Sequence, residues 1–470
     1  MSTTGDVSTG TVAQDRGIVG LALGFAAFAA LGLVVPFLIL ARADQGRSVG
    51  WVVTLVILLM SATRLSVLVS RGERRLFEFI FWLFCYVFFG LAPTVQMRLD
   101  QMPTTTPDLD PFLDLPTALL ALVGVLAIAG GFAYSNRVVR EHEKLLDFDI
   151  SVVRLVLLSA LGLLFAAYYA LKVGPGTLFS SRAASSEIED QLWPDPSVAS
   201  IVRAGSSFPV LIAAHAWWNV AARRSRKGGA RVIAAVLTVV SLLITNPISS
   251  SRYGSGVVWG SFLGVLGGFR TRRRTSVSML GIVAGLLFVF PVADYFRRVT
   301  QVSVSRGGFL AEYAGNGDYD AFGQLSNALL YDRTMPLQFG RQLLGLAFFW
   351  VPRSIWSDKP VGSGVVLAQF RGYDFTNLSA PIWAEMLLNF GIIGVVVASF
   401  LVGNLLGRLD QAFRGAGGGG PVDIAAAVLP FYLLILLRGS LLQATGTLFV
   451  IIASLVLVAG RRRTPQEDPL

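Results

Sequence analysis

Three short stretches bring together side chains that could do chemistry on an anionic substrate. The first is Asn246-Pro247-Ile248-Ser249-Ser250-Ser251-Arg252-Tyr253-Gly254, which sets a guanidinium at the start of an apolar run. A guanidinium is a planar fork that can hold a phosphate or diphosphate through two parallel hydrogen bonds, which suits arginine better than lysine. The plainer role for Arg252 is an interfacial anchor that reaches to lipid headgroups. The second stretch is Val351-Pro352-Arg353-Ser354-Ile355-Trp356-Ser357-Asp358-Lys359-Pro360. Two prolines and Trp356 restrict the backbone, and Arg353 and Lys359 lie between them. That pattern suits an anionic headgroup or a lipid diphosphate, with lipid anchoring free of chemistry as the alternative. The third is Ser379-Ala380-Pro381-Ile382-Trp383-Ala384-Glu385-Met386-Leu387-Leu388-Asn389-Phe390-Gly391. Its carboxylate, Glu385, could act as a general base on a hydroxyl or orient an arginine. It could also simply favour a helix N-terminus, although an ionisable group at a membrane edge invites a functional hypothesis.

Other chemistries find no support in the residues. The only histidines are His142 and His215, neither placed near these stretches, and the one cysteine is Cys85. No disulfide framework or zinc cluster fits one cysteine, no metal site or cofactor is expected, and no Walker-type phosphate loop is present.

The elements that must position these residues are apolar. Hydrophobic residues make up 54% of the chain and charged residues only 14%, against about 25% charged in a soluble domain. Apolar runs near 18–41, 49–69, 76–92, 116–134, 151–171, 201–222, 232–246, 253–269, 277–292, 383–407, 423–437 and 439–459 approach the length that crosses a bilayer. The shortest is 232–246, and only Arg438-Gly439 divides the last two. The sequence therefore predicts an all-α polytopic membrane protein of about twelve transmembrane helices. The first run is longer than the apolar core of a signal peptide and reads as a retained helix. The net charge of +10 resides in short loops, so it reads as topology and attraction to anionic lipid, not as nucleic-acid binding.

Loop charges orient the bundle. Basic sets after the even-numbered runs (Arg71, Arg74 and Arg75; Arg137 and Arg140; Arg270 to Arg274; Arg461 to Arg463) alternate with acidic loops at 93–115 and 172–200. Both termini are then expected in the cytoplasm. Arg64, inside the second run, should pair within the bundle or reach the inner interface. The organisation reads as a bundle over 1–292, a long extracytoplasmic loop over 293–382, and a second set of helices over 383–470. Loops of that length are usually functional. This one is rich in aromatics, with Phe322, Leu325 and Leu329 at helical spacing. Its segment Leu343–Val351 is too short to span and suits an interfacial or re-entrant helix ended by Pro352.

The order of these features resembles the O-antigen polymerases, or oligosaccharide repeat-unit polymerases (Wzy-type). The resemblance is carried by Ser251-Arg252-Tyr253-Gly254; by Asp320-Ala321-Phe322 with Leu325, Pro336 and Gly340; by Pro352 to Trp356 with Lys359-Pro360; and by Ser379, Pro381, Glu385, Asn389-Phe390-Gly391 and Gly394. Most of it lies in 318–394. It implies a glycosyltransferase in the cytoplasmic membrane of a bacterium. Such an enzyme joins oligosaccharide repeats carried on a polyprenyl (undecaprenyl) diphosphate at the extracytoplasmic face, with no cofactor. Arg252, Arg353 and Glu385 would be its catalytic residues. Arg341, Lys359, Arg297, Arg298, Trp356 and Asp320 would bind substrate. Membrane lipids, a flippase and a chain-length regulator would be its partners. Arg182, in the 172–200 loop, matches no motif of the resemblance. The alternatives are an O-antigen ligase-like transferase, a transporter or flippase of lipid-linked oligosaccharide, and a structural or sensor protein.

Overall fold

A computed structural model describes residues 8–42, 46–138, 148–193, 196–223, 228–293, 309–376, 378–414 and 419–462. Nearly all of it is helix. The long elements are α1 (Ile18–Leu40), α2 (Gly50–Arg71), α3 (Leu76–Leu99), α4 (Pro111–Arg137) and α5 (Val152–Val173). A short α6 (Arg182–Leu192) precedes α7 (Val198–Arg223) and α8 (Gly228–Ile244). Then come α9 (Arg252–Val265) and α10 (Arg272–Ala284), whose helical path continues through a π-helical turn to Ala293. Four short helices follow: α11 (Phe309–Gly315), α12 (Ala321–Thr334), α13 (Arg341–Ala347) and α14 (Ser363–Arg371). The chain closes with α15 (Ile382–Arg414), α16 (Pro421–Arg438) and α17 (Leu441–Val458). Strands β1 (Phe148–Ile150) and β2 (Ala459–Arg462) form one antiparallel pair.

Among the described residues, nine helices are long and apolar enough to cross a membrane: α1 to α5, α7 and α15 to α17. The chain is an all-α, multi-pass membrane protein. The other three expected runs are helical but shorter or more charged. The 232–246 run lies in α8, of 17 residues, and the 253–269 run becomes α9, of only 14. The 277–292 run belongs to α10, which opens on Arg272, Arg273 and Arg274.

The bundle is organised around α3. Every residue from Leu76 to Met97 is buried, as expected of a helix that is apolar on all sides. The connections between helices fall into two sets, each knitted internally. At one end Arg47 donates to Asp114 (2.9 Å), Thr104 N–H to the Gly315 carbonyl (3.2 Å), Asn246 to the Leu178 carbonyl (2.7 Å) and Arg371 to the Asp108 carbonyl (2.8 Å). At the opposite end Ser276 donates to the Val69 carbonyl (2.6 Å), Gln411 to the Ser135 carbonyl (2.7 Å), and Arg223 approaches Asp149 (3.4 Å). There Asp410 accepts the Phe77 and Glu78 amides at the start of α3 (3.0 and 2.9 Å). Arg64 lies against Glu78 (2.8 Å), which also holds Arg75 (3.0 Å), so this intramembrane arginine is paired within the bundle.

Residues 309–381 are not a loop standing above the bundle. Leu310, Tyr313, Tyr319, Phe322, Leu325 and Leu329 are buried in the same apolar core as the spanning helices. The expected partition at 293 and 382 therefore separates segments that share one interior. The helical spacing of Phe322, Leu325 and Leu329 is realised in α12. The expected Leu343–Val351 helix is shorter: α13 ends at Ala347, and a turn closed by Val351 N–H to the Phe348 carbonyl (3.1 Å) follows.

Helices α4 and α15 approach closely through small residues. A methyl group on Gly403 would overlap the Ile128 carbonyl, and one on Gly131 would overlap that of Phe400. Close contact of small residues is a standard source of helix association in lipid, where no hydrophobic force drives helices together. Gly403→Leu is expected to destabilise the fold by roughly 1–3 kcal/mol or more through overpacking, read as a lowered thermal midpoint of the detergent-solubilised protein.

Candidate functional site

The charged residues of interest collect at the end that carries 309–381. Arg252 opens α9, and the turn before it is tightly specified. Asn246 Oδ1 accepts the Ile248 and Ser249 amides (3.0 and 3.1 Å), and Ser251 Oγ accepts the Gly254 amide (3.0 Å) as a helix cap. The Arg252 guanidinium is almost fully buried. It forms an ion pair with Asp318, donates to the Phe290 carbonyl (2.8 Å) and lies 4.3 Å from the centre of the Phe290 ring. Two other aromatic groups face this region. Tyr253 OH donates to the Asp318 carbonyl (3.3 Å), and Tyr313 OH to the Leu287 carbonyl (2.9 Å). Burial, followed by the nearby Glu312 charge, pushes the Tyr313 phenol above its ordinary pKa, so it remains a neutral donor.

A second arginine, from the last turn of α16, completes the network. Arg438 donates to Asp320 Oδ1 (3.0 Å), to the Asp318 carbonyl (3.0 Å) and to the Gly317 carbonyl (3.4 Å), and lies 3.7 Å from Asp318 Oδ1. Its guanidinium lies 5.0 Å from the centre of the Tyr253 ring. Asp320 is buried and also accepts from Thr105 Oγ1 (3.3 Å). Thus Arg252 and Asp320, two of the residues singled out from sequence, do meet, through Asp318 and Arg438.

Glu385 belongs to the neighbouring turn. Its Oε2 accepts from Ser363 Oγ (2.6 Å), and its Oε1 accepts the Leu441 amide (2.8 Å) at the start of α17. The same turn gives Ser440 Oγ to the Ser363 amide (3.1 Å) and the Arg438 carbonyl to the Ala380 amide (3.1 Å). Glu385 is 2% exposed. Both its oxygens are engaged in fastening α14 and α17 to α15.

Arg353 and Lys359 are brought together, and both donate to backbone carbonyls of the same hairpin. Lys359 is buried, and its ammonium donates to the Phe349 and Val351 carbonyls (2.5 and 2.9 Å). Arg353 donates to the Lys359 and Pro360 carbonyls (2.8 and 3.3 Å). Arg341 is more open and holds Asp358 through its carbonyl (2.8 Å) and carboxylate (3.1 Å). Trp356 is half-buried in this hairpin. Arg297 and Arg298 lie outside the described residues.

Two arginines not singled out from sequence extend the Arg252 network. Arg203 sits near the start of α7 and forms an ion pair with Glu189, which also accepts from Tyr169 OH (2.5 Å). Arg182 opens α6, where Ser181 Oγ accepts the Ala184 amide. It is half-buried. Burial, and next the positive charge of Arg252, lower its pKa below the ordinary arginine value. Among the described residues no carboxylate pairs with Arg182. The described residues thus set the guanidiniums of Arg182, Arg203, Arg252 and Arg438 beside the carboxylates of Glu189, Glu312, Asp318 and Asp320, and of these guanidiniums Arg182 is the one with no paired carboxylate. Such an arrangement is suited to an anion that takes the missing place.

No family model, curated protein or solved structure matches the chain. The sequence held a cue to Arg438, the single charge dividing two spanning runs. Arg203 carried the same cue as a charge inside the start of another run.

Arg438→Ala leaves Asp318 and Asp320 without their shared cation and should cost about 3–5 kcal/mol, seen as a large drop in thermal midpoint. Glu385→Ala should destabilise by roughly 1–3 kcal/mol for each group it strands. In contrast, Glu385→Gln should retain most of the stability, because an amide oxygen still accepts the Leu441 amide and the Ser363 hydroxyl can rotate to accept from the amide nitrogen.

Proposed function

We propose that the protein is a membrane glycosyltransferase that polymerises oligosaccharide repeats carried on a polyprenyl diphosphate. The observation that carries this reading is the arginine cluster with its unmatched charge at Arg182, set at one end of a multi-pass bundle. In the proposed reaction, a hydroxyl of one repeat attacks the anomeric carbon of another. The C–O bond to the diphosphate breaks, the hydroxyl proton leaves to solvent, and polyprenyl diphosphate departs. Negative charge grows on that leaving group, and fixed cations in a dry site stabilise it strongly. Arg182 and Arg203 are the residues assigned to contact the diphosphate. Arg252, Arg438, Asp318 and Asp320 hold the platform beneath, and Glu385 positions it.

The reading places this end outside the cytoplasm of a bacterium and counts twelve passes. The back-and-forth path of the chain supports that count. Connections alternate between the two ends even across α8, α9 and α10, and both α1 and α17 have their terminal ends opposite the site. The basic loops lie at that opposite end, as the rule of positive charge inside requires.

A transporter of lipid-linked oligosaccharide is the second reading. Gly391 favours it: its backbone (φ 65°, ψ −163°) breaks α15, and discontinuous helices are common at transport sites.

Arg182→Ala should lower polymer formation by about 10²-fold, leave the thermal midpoint unchanged and accumulate single lipid-linked repeats on the outer leaflet. Polymer of normal length and amount from this variant would rule out the assignment of Arg182. Accumulation of repeats on the cytoplasmic leaflet would instead favour the transporter.

A further inference from the structure

The segment 339–356 presents an apolar surface that the proposed chemistry does not use. Phe339, Leu344, Phe348, Trp350 and Ile355 are all exposed, Phe339 and Ile355 at 78%. A patch of this kind on one short segment marks a contact surface. Its neighbours identify the contact. The segment is flanked on one side by α15, where a methyl group on Gly340 would meet the Phe390 ring at 3.3 Å. On the other side is α17, where the Phe349 and Phe449 rings pack 5.5 Å apart. Phe390, Ile393, Phe449 and Ile452 of those membrane-spanning helices are themselves exposed. The patch thus continues the lipid-facing surface of two spans.

The interior of the segment has the chemistry such a location demands. Irregular backbone entering an apolar phase must have its carbonyls satisfied from within the protein. Lys359 satisfies those of Phe349 and Val351, and Arg353 those of Lys359 and Pro360. Pro352 removes a further amide donor. Lys359 is buried against its carbonyls, the exposed Arg353 turns its guanidinium back to two more, and Trp350 and Ile355 are exposed on the surface. Charged groups lie at the rim, where Arg341 meets Asp358.

We infer that residues 339–356 form a lip inserted into the acyl region of the leaflet at the site end, with Phe348, Trp350 and Ile355 in contact with lipid chains. The lip lies beside the outermost turn of α7. A methyl group at Gly446 would touch both the Phe349 ring and the Ser200 hydroxyl at 4.0 Å, and Arg203 is the next turn of the same helix. An anionic lipid moving laterally in this leaflet would meet the lip before reaching the arginines.

The inference is tested without any assay of activity. Cys85 is fully buried and is replaced by alanine. Single nitroxide labels are then placed at Phe348→Cys, Trp350→Cys, Ile355→Cys and, as a rim control, Asp358→Cys, in the full chain reconstituted into phosphatidylcholine–phosphatidylglycerol vesicles. Power saturation compares collisions with oxygen, which concentrates in acyl chains, and with a water-soluble nickel chelate. Labels at 348, 350 and 355 are expected to favour oxygen over the chelate by several-fold more than the label at 358. Equal chelate accessibility at all four positions would place the segment in water and overturn the inference. Exclusion of both reagents at 348, 350 and 355 would also overturn it, because the cover would then be protein. Failure of the Arg182 assignment would leave this result unaffected.

Discussion

A guanidinium removed from water has to be surrounded by acceptors, and Arg438 is the case on which this architecture turns. It closes α16 inside the bundle, where its charge would be prohibitively unfavourable alone. Two carboxylates, two carbonyls and an aromatic ring surround it, all but one of the residues drawn from 317–320 and the ring from Tyr253 of α9. The segment 309–334 is thereby drawn into the bundle instead of standing above it. Its apolar residues then find a common core with the spanning helices. The two-residue link between α16 and α17 is held in the same place, since the Arg438 carbonyl before it accepts from Ala380 and its Ser440 hydroxyl accepts from Ser363.

The same rule sorts the other cations. Lys359 and Arg353 satisfy backbone carbonyls of a hairpin, and Arg64 and Arg75 neutralise Glu78 at the far end. Each is a charged side chain used as an internal fastening. Arg182 differs, because no carboxylate pairs with it among the described residues, and burial and the positive charge of Arg252 both weigh against its own charge. A held cation without a matching carboxylate or a ring of carbonyls is what an anionic ligand requires.

The helices were readable because length and hydropathy act locally. The runs that became α1 to α5 and α15 to α17 needed no partner to be recognised. The short α9 was overestimated, since an apolar run through Phe269 includes a turn that begins after Val265. Residues 293–382 were read as a separate outer loop because its mixed charges resemble a solvated surface. Only the packing of Tyr313, Tyr319 and Phe322 against distant helices reveals otherwise. At the site, Arg252 was picked out from local pattern and Asp320 only through the family resemblance. Their coupling was not, because Arg438 is 118 residues from Asp320 in the chain. Arg353, Lys359 and Glu385 were noticed for sound reasons of charge and position. A residue type cannot say whether its polar atoms face a ligand or a neighbouring backbone.

The late position of Arg438 has a consequence for how the protein is made. Helices enter the membrane in order of synthesis, and Asp318, Asp320 and Glu385 are in place before their partners at 438 and 441 exist. Until the α16–α17 hairpin arrives, Asp320 lacks its arginine and Glu385 the Leu441 amide, while Asp318 has only Arg252. The network at the site end is therefore complete only once α16 and α17 have docked and Arg438 has joined Asp318 and Asp320.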